Sequence, residues 1–204
     1  MTVAETLDLL DWKRRIFALY AEVRAAADPR AASQRWRDTR DDLFRTHPQS
    51  PLPAEERNGF AGLQYYEYDP DARVLAELSD LDAPPAPIET SGREPMIFRP
   101  FAAADFELRG EACRLEVQWL EGYGGGVFLS FRDATSGRET YGGGRYLYDT
   151  VKGADLGNDG GRLVLDFNFA YNPSCAYDPG WVCPLAPPAN RLAVAVGAGE
   201  RHAA

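Results

Sequence analysis

Side chains able to do chemistry gather in the last third of the chain. Arg145 follows Tyr141-Gly-Gly-Gly144. Asp166, Asn168, Tyr171, Asn172, Cys175 and Tyr177 come next, and Cys183 stands just before Pro184-Leu-Ala-Pro-Pro188. A guanidinium matches carboxylate or phosphate through two parallel N–H donors, so Arg145 is a candidate contact for an anionic ligand, with an internal ion pair to Asp149 or Asp166 as the alternative. In a strand over 162–169, Asp166 and Asn168 share one face, about 7 Å apart. There they receive a ligand or satisfy buried backbone groups of an adjoining loop. The glycines before Arg145 admit a ligand, or merely another strand, at close range. Tyr171 and Tyr177 offer phenols for stacking or hydrogen bonding, while Asn172, beside Pro173, offers an amide or braces a turn. The set Arg145, Asp166, Asn168, Tyr171, Asn172 and Tyr177 therefore describes a candidate site for a small polar or anionic molecule.

Catalysis on the same residues would be of carboxylate or thiol type, with Asp166 as a base beside Arg145 or Cys175 as a nucleophile, in a hydrolase-like or lyase-like enzyme. Histidine is scarce: His47 lies among prolines and His202 near the end, so neither a Ser-His-Asp or Cys-His centre nor a multi-histidine metal site is expected. There is no GxxxxGK loop, and the glycine triplets lack the strand-to-helix context of a dinucleotide fingerprint. No cofactor and no metal are expected. Cys175 and Cys183 flank Tyr177-Asp-Pro-Gly-Trp181, a segment that turns back on itself and can make the sulfurs neighbours. Two buried thiols, a disulfide, or a reactive cysteine with its resolving partner all fit that spacing. Cys113 alternates within a strand-like run and reads as core.

Two helices and a β-rich remainder must position these groups. Leu9, Trp12, Ile16, Leu19 or Tyr20, and Val23 recur at helical spacing across 2–26, and Thr2 with Glu5 has the form of a capping box. This amphipathic stripe packs on the domain or, in an alternative reading, docks on a partner protein. A shorter helix follows with Ser33 as its cap and Trp36, Arg40, Leu43 and Phe44 on one mixed face; the prolines of 47–53 then break regular structure. From Phe60 the apolar period shifts to two. Strands are predicted at 63–68, 73–78, 96–101, 105–109, 114–120, 127–132, 139–149, 162–169 and 192–196.

The expected architecture is one α+β domain over 1–204: a helical segment at 1–46 and a β-rich core at 60–200, mainly antiparallel, as a sandwich or a partly open barrel. With 204 residues, 45% of them hydrophobic, the chain can bury a core without cross-links. A net charge of −9 argues against nucleic acid as a partner, because phosphate binding needs a basic surface. No apolar run reaches membrane-spanning length, and the first residues have neither the basic start nor the apolar run of an export signal, so a soluble cytoplasmic protein without a membrane partner is expected.

Several long motifs occur in one order: Ser136-Gly-Arg-Glu-Thr-Tyr-Gly-Gly-Gly-Arg-Tyr-Leu147, Asp166-Phe-Asn-Phe-Ala-Tyr-Asn-Pro-Ser-Cys-Ala-Tyr177, Cys183-Pro-Leu-Ala-Pro-Pro-Ala-Asn-Arg-Leu192 and Ala198-Gly-Glu200. Together they resemble the bacterial and archaeal family known as domain of unknown function 1684. The likeness is strongest over 130–200; upstream, Ser50-Pro-Leu-Pro53 and Gly62-Leu-Gln-Tyr65 resemble the family's earlier segments. That family has no assigned activity, so the resemblance implies a shared architecture and a shared site region.

Overall fold

The computed structural model describes residues 2–202. Helix α1 (Val3–Ala25) opens on the capping box expected from the sequence: the Thr2 hydroxyl accepts from the Glu5 N–H at 3.2 Å, and the Glu5 carboxylate accepts from the Thr2 N–H at 2.6 Å. Ile16, Leu19 and Tyr20 are its buried residues, flanked by half-buried Leu9, Trp12 and Val23, so the stripe packs on the domain. Helix α2 (Pro29–Thr46) begins earlier than expected. Asp28, not Ser33, is its cap, accepting from the N–H groups of Arg30 and Ala31, with Pro29 pre-set for the first turn. Ser33 is buried inside the helix. A single turn, α3 (Ala54–Arg57), follows.

The strands are β1 (Arg73–Asp80), β2 (Ala86–Ile88), β3 (Met96–Leu108), β4 (Glu111–Leu120), β5 (Gly126–Phe131), β6 (Arg145–Asp149), β7 (Asn158–Asp159) and β8 (Arg162–Asp166). They form one antiparallel sheet in the order β6-β5-β4-β3-β1-β8-β7, with β2 added beside β3, curled into a half-barrel. The fold class is α+β. The curl turns on β1, which pairs with β8 through Arg73–Ala76 and with β3 through Glu77–Asp80. Two predicted strands, 96–101 and 105–109, are one: β3 runs through a bulge between Pro100 and Ala102, a place in a sheet where proline is tolerated. Arg109 and Gly110 then close a two-residue hairpin, both at positive φ (55° and 81°).

Helices α1 and α2 lie against this sheet. Trp36 of α2, fully buried, meets Phe169 and Tyr65 edge-on at 5.4 and 5.6 Å. The same core takes in Ile16, Leu19, Leu43, Leu115, Leu129, Leu147, Leu165 and Phe167. Half-buried Cys113 packs on its edge. A second, smaller apolar cluster gathers Ile88, Phe98, Phe128, Tyr146, Cys175 and Cys183. Among the described residues no helix is long and apolar enough to cross a membrane.

Candidate functional site

Arg145 opens β6, and its side chain has no exposure. Its Nη1 donates to the carbonyls of Ala198 (2.5 Å) and Glu200 (3.2 Å), and its Nη2 to Asp133 Oδ2 (2.8 Å) and the Val196 carbonyl (2.9 Å). The guanidinium lies over the Phe131 ring. Burial lowers its pKa, and the adjoining Asp133 carboxylate works against that effect. The internal ion pair is thus the arrangement found, but with Asp133 rather than Asp149 or Asp166, and no terminal nitrogen is left for an anionic ligand. The preceding glycine serves the same closure. Gly144 sits at φ +97°, where a Cβ would stand 2.7 Å from both the Phe131 carbonyl and the Ala186 side chain, so it is neighbouring chain that approaches.

Asp166 and Asn168 do meet, though not as strand neighbours. β8 stops at Asp166 because its carboxylate accepts from the Asn168 N–H (3.0 Å) and folds Phe167–Phe169 into a 3-10 turn. The Asn168 amide accepts from the N–H of Asp69 (2.9 Å) and donates to its carbonyl (2.7 Å) and to Asp166 (2.9 Å). Of the two readings of this pair, the brace on an adjoining loop is the one seen. Burial raises the Asp166 pKa against the Asn168 hydrogen bonds and Arg73, whose Nε lies 3.9 Å away.

Tyr171, Asn172 and Tyr177 meet a different arginine. Arg40 of α2 is buried, donates Nη2 to Glu200 Oε2 at 2.7 Å, and lies over the rings of Trp36, Tyr171 and Phe44 at 4.8, 5.0 and 5.3 Å. The same Glu200 carboxylate accepts from the Asn172 N–H (3.0 Å) and the Tyr177 hydroxyl. Burial raises the Glu200 pKa, opposed by Arg40 and by the Asn172 N–H. Arg40 and Glu200 were not among the site residues expected from sequence. The one signal was an arginine in the apolar row Trp36, Arg40, Leu43, Phe44.

In front of this pair lies a cavity of about 60 Å³, room for a few waters or a small ligand group. Its floor is Tyr171, Asn172, Pro173 and Ser174 with Tyr146 of β6. Its wall is Trp12, Ile16 and Tyr20 of α1 with Trp36, Arg40 and Phe44 of α2. At the rim Lys152 stands 3.3 Å from Asp149. A depression of about 210 Å³ continues outward, sharing Trp12, Lys152, Ser174 and Cys183 with the inner cavity. Three lining residues hold a buried polar atom without a hydrogen-bond partner among the described residues: Tyr20 Oη, Trp36 Nε1 and Asn172 Oδ1. Each such atom costs about 1–3 kcal/mol unless something polar reaches it. The two charge pairs cancel, so the cavity carries polar groups of both kinds with little net charge. Among the described residues no three His, Cys, Asp or Glu side chains converge to hold a metal ion.

Comparison with known proteins places these residues in a family. The family described as "Protein of unknown function (DUF1684)" matches residues 58–201. The chain belongs to this family. A solution NMR structure of an uncharacterized protein of Haloarcula marismortui is similar at 38% identity, with a TM-score of 0.59, over 82% of this chain and 91% of that one. No curated protein matches the chain. The DUF1684 segment contains the whole Arg145 network and the cavity floor, together with Glu200. The cavity wall, from Trp12 to Phe44, comes from the helices that precede it.

Proposed function

We propose that this DUF1684 protein binds a small, partly apolar molecule in the cavity between the α1–α2 helices and the Tyr171–Ser174 segment. The observation that carries the reading is an aromatic-lined recess three of whose lining residues, Tyr20, Trp36 and Asn172, hold a buried polar atom without a hydrogen-bond partner among the described residues. Asn172 Oδ1 can only accept, and Tyr20 Oη, toward which the Trp36 indole N–H is close enough to act, is left to donate. A fitting ligand therefore offers both a hydrogen-bond acceptor and a donor on a compact frame with an apolar face. The cancelling pairs Arg40–Glu200 and Lys152–Asp149 favour a neutral or zwitterionic ligand over a strongly anionic one. Of the six residues chosen from sequence, Tyr171 and Asn172 face this ligand, and Tyr177 acts behind it by holding Glu200.

The test is a thermal-shift screen of the full chain against small amino-acid-like and heterocyclic metabolites, repeated on Tyr20→Phe and Asn172→Ala. A ligand that raises the melting temperature of the native protein and loses at least tenfold in affinity for Asn172→Ala supports the site. An unchanged affinity in both variants would place binding elsewhere, and no shift with any compound would remove the reading. A cytoplasmic setting is part of the same proposal, supported by Cys175 and Cys183 being adjacent yet free, as thiols are kept in reducing compartments.

A further inference from the structure

Cys175 and Cys183 are brought together by two segments that are anchored independently. Cys175 rides on the 3-10 turn Ser174–Ala176, closed by the Ala176 N–H on the Pro173 carbonyl (2.9 Å). Cys183 is tied on both sides of its peptide unit to Ser91: its N–H donates to the Ser91 hydroxyl (3.0 Å), and its carbonyl accepts from the Ser91 N–H (2.9 Å). The outcome is a pair of neighbouring thiols, with the Cys175 N–H donating to Cys183 Sγ at 3.4 Å. On its other side Cys175 Sγ meets the Tyr141 hydroxyl at 3.6 Å. Cys175 retains 9% exposure and Cys183 lines the cavity, whereas the third cysteine, Cys113, belongs to the other apolar cluster and serves as an internal control.

We propose that Cys175 and Cys183 form a hydroperoxide-sensitive dithiol, in which Cys175 is the attacking thiolate and Cys183 the resolving thiol. The Tyr141 hydroxyl, 3.6 Å from Cys175 Sγ, can donate to a Cys175 thiolate, and Cys175 is the more exposed of the two sulfurs, 9% against 3%. The same geometry bears on acidity. Donation from the Cys183 thiol holds the Cys175 pKa down to about 6 against the opposing effect of burial, while that hydrogen bond drives Cys183 up. The Cys175 thiolate attacks the outer oxygen of the hydroperoxide. An S–O bond forms, the O–O bond breaks, and the departing alkoxide or hydroxide takes a proton to leave as alcohol or water. Cys183 then attacks the sulfenic sulfur, an S–S bond forms, and the hydroxyl departs as water with the Cys183 proton. Overall, two thiols and one hydroperoxide give one disulfide, one alcohol or water, and one water. A small thiol reductant reverses the change. This inference does not rest on the ligand cavity.

The experiment uses the full chain, reduced and then treated with hydrogen peroxide, alkylated in denaturant and mapped by mass spectrometry. A Cys175–Cys183 cross-linked peptide with Cys113 still alkylated is expected. In Cys183→Ser the sulfenic acid is left unresolved, and dimedone should label Cys175; in Cys175→Ser, Cys183 should stay unlabelled. Alkylation of Cys175 in the native protein should rise with pH through a midpoint below the ordinary thiol range, and the midpoint should move upward in Cys183→Ser. Oxidation of Cys113 before the pair, or no dimedone adduct on Cys175 in Cys183→Ser, would overturn the proposal. The cross-link map of the native protein needs no variant, so a variant that fails to fold does not leave the question open.

Discussion

Among the described residues two arginines are buried, and they are held in different ways. Arg145 spends both terminal nitrogens on four acceptors: three carbonyls of residues 196–200 and one carboxylate. It joins the last described stretch of chain to β6 and leaves only its buried Nε over. Arg40 also meets a carboxylate, Glu200, but its Nε reaches only the Tyr65 hydroxyl at 3.3 Å. Its Nη1 has no hydrogen-bond partner among the described residues, and its faces lie on aromatic rings. Burial alone therefore does not separate scaffold from site. The number of terminal donors and lining acceptors left over does: around Arg40 the lining atoms Tyr20 Oη, Trp36 Nε1 and Asn172 Oδ1 are left, while Arg145 itself keeps only Nε unpaired.

If Arg145 is a weld, Arg145→Met should show the largest effect. It strands Asp133 and three carbonyls without their donor, at a cost of about 4–5 kcal/mol in urea unfolding, a large part of the stability of an ordinary domain. Arg145→Lys should recover little, because one ammonium cannot reproduce the planar fork across four acceptors. A loss below about 1 kcal/mol would mean that the network is dispensable. Glu200→Gln comes next. It removes the charge opposite Arg40 and turns an amide N–H toward donors, but the rings around Arg40 continue to hold the cation, so about 3 kcal/mol is expected. A loss as large as that of Arg145→Met would erase the distinction between the two arginines.

The same contrast explains what was legible in the sequence. Helix α1 and its cap, the alternation of β4, and the shift from helical to strand period are local patterns, and each appears where the residues put it. Segments 192–196 and 63–68 alternate like strands but form none: 63–68 makes the single bridge of Tyr65 with Glu200, and in 192–196 the Leu192 N–H bonds to the Arg132 carbonyl and the Val194 carbonyl accepts from the Ala134 N–H. The carbonyls of Val196, Ala198 and Glu200 bond to the Arg145 guanidinium, and beside the Tyr65–Glu200 bridge the Tyr66 N–H donates to the Gly199 carbonyl and the Arg201 N–H to the Gln64 carbonyl. An extended segment captured by a side chain has the pattern of a strand without its ladder. The motif region was findable because glycine, proline and polar residues crowd there. Its partner was not, since Arg40 meets Glu200 across 160 positions and nothing in α2 announces which carboxylate it will find.

Three asparagines sharpen the comparison at smaller magnitudes. Asn190 is fully buried and fully used: Oδ1 accepts from the Glu116 N–H at 2.7 Å, and Nδ2 donates to the carbonyls of Glu116 (2.9 Å) and Ser130 (2.8 Å), stitching β4 to β5. Asn190→Ala leaves three buried backbone groups unpaired, and about 2 kcal/mol should be lost in chemical unfolding. Asn168, bonded to both polar groups of Asp69, should behave alike.

Asn172 should not. Its N–H bond to Glu200 belongs to the backbone and survives any substitution other than proline, so the side chain's own hydrogen bond is the one from Nδ2 to the Arg201 carbonyl at 2.9 Å. Against that loss, Asn172→Ala also removes Oδ1, a buried acceptor with no partner, whose desolvation already weighs on the folded state. The two changes oppose each other, and the net effect on stability should stay within about 1 kcal/mol of the native protein. Asn172→Asp is a harsher change, because it sets a second carboxylate beside Glu200 where burial already disfavours one. An Asn172→Ala protein that unfolds as the native one does, yet has lost a ligand-dependent thermal shift, separates a binding group from a brace. A cost of 2 kcal/mol or more, matching Asn190→Ala, would instead show that the structure needs this amide as it needs the others. The cavity floor would then be scaffold of the same kind as the Arg145 weld.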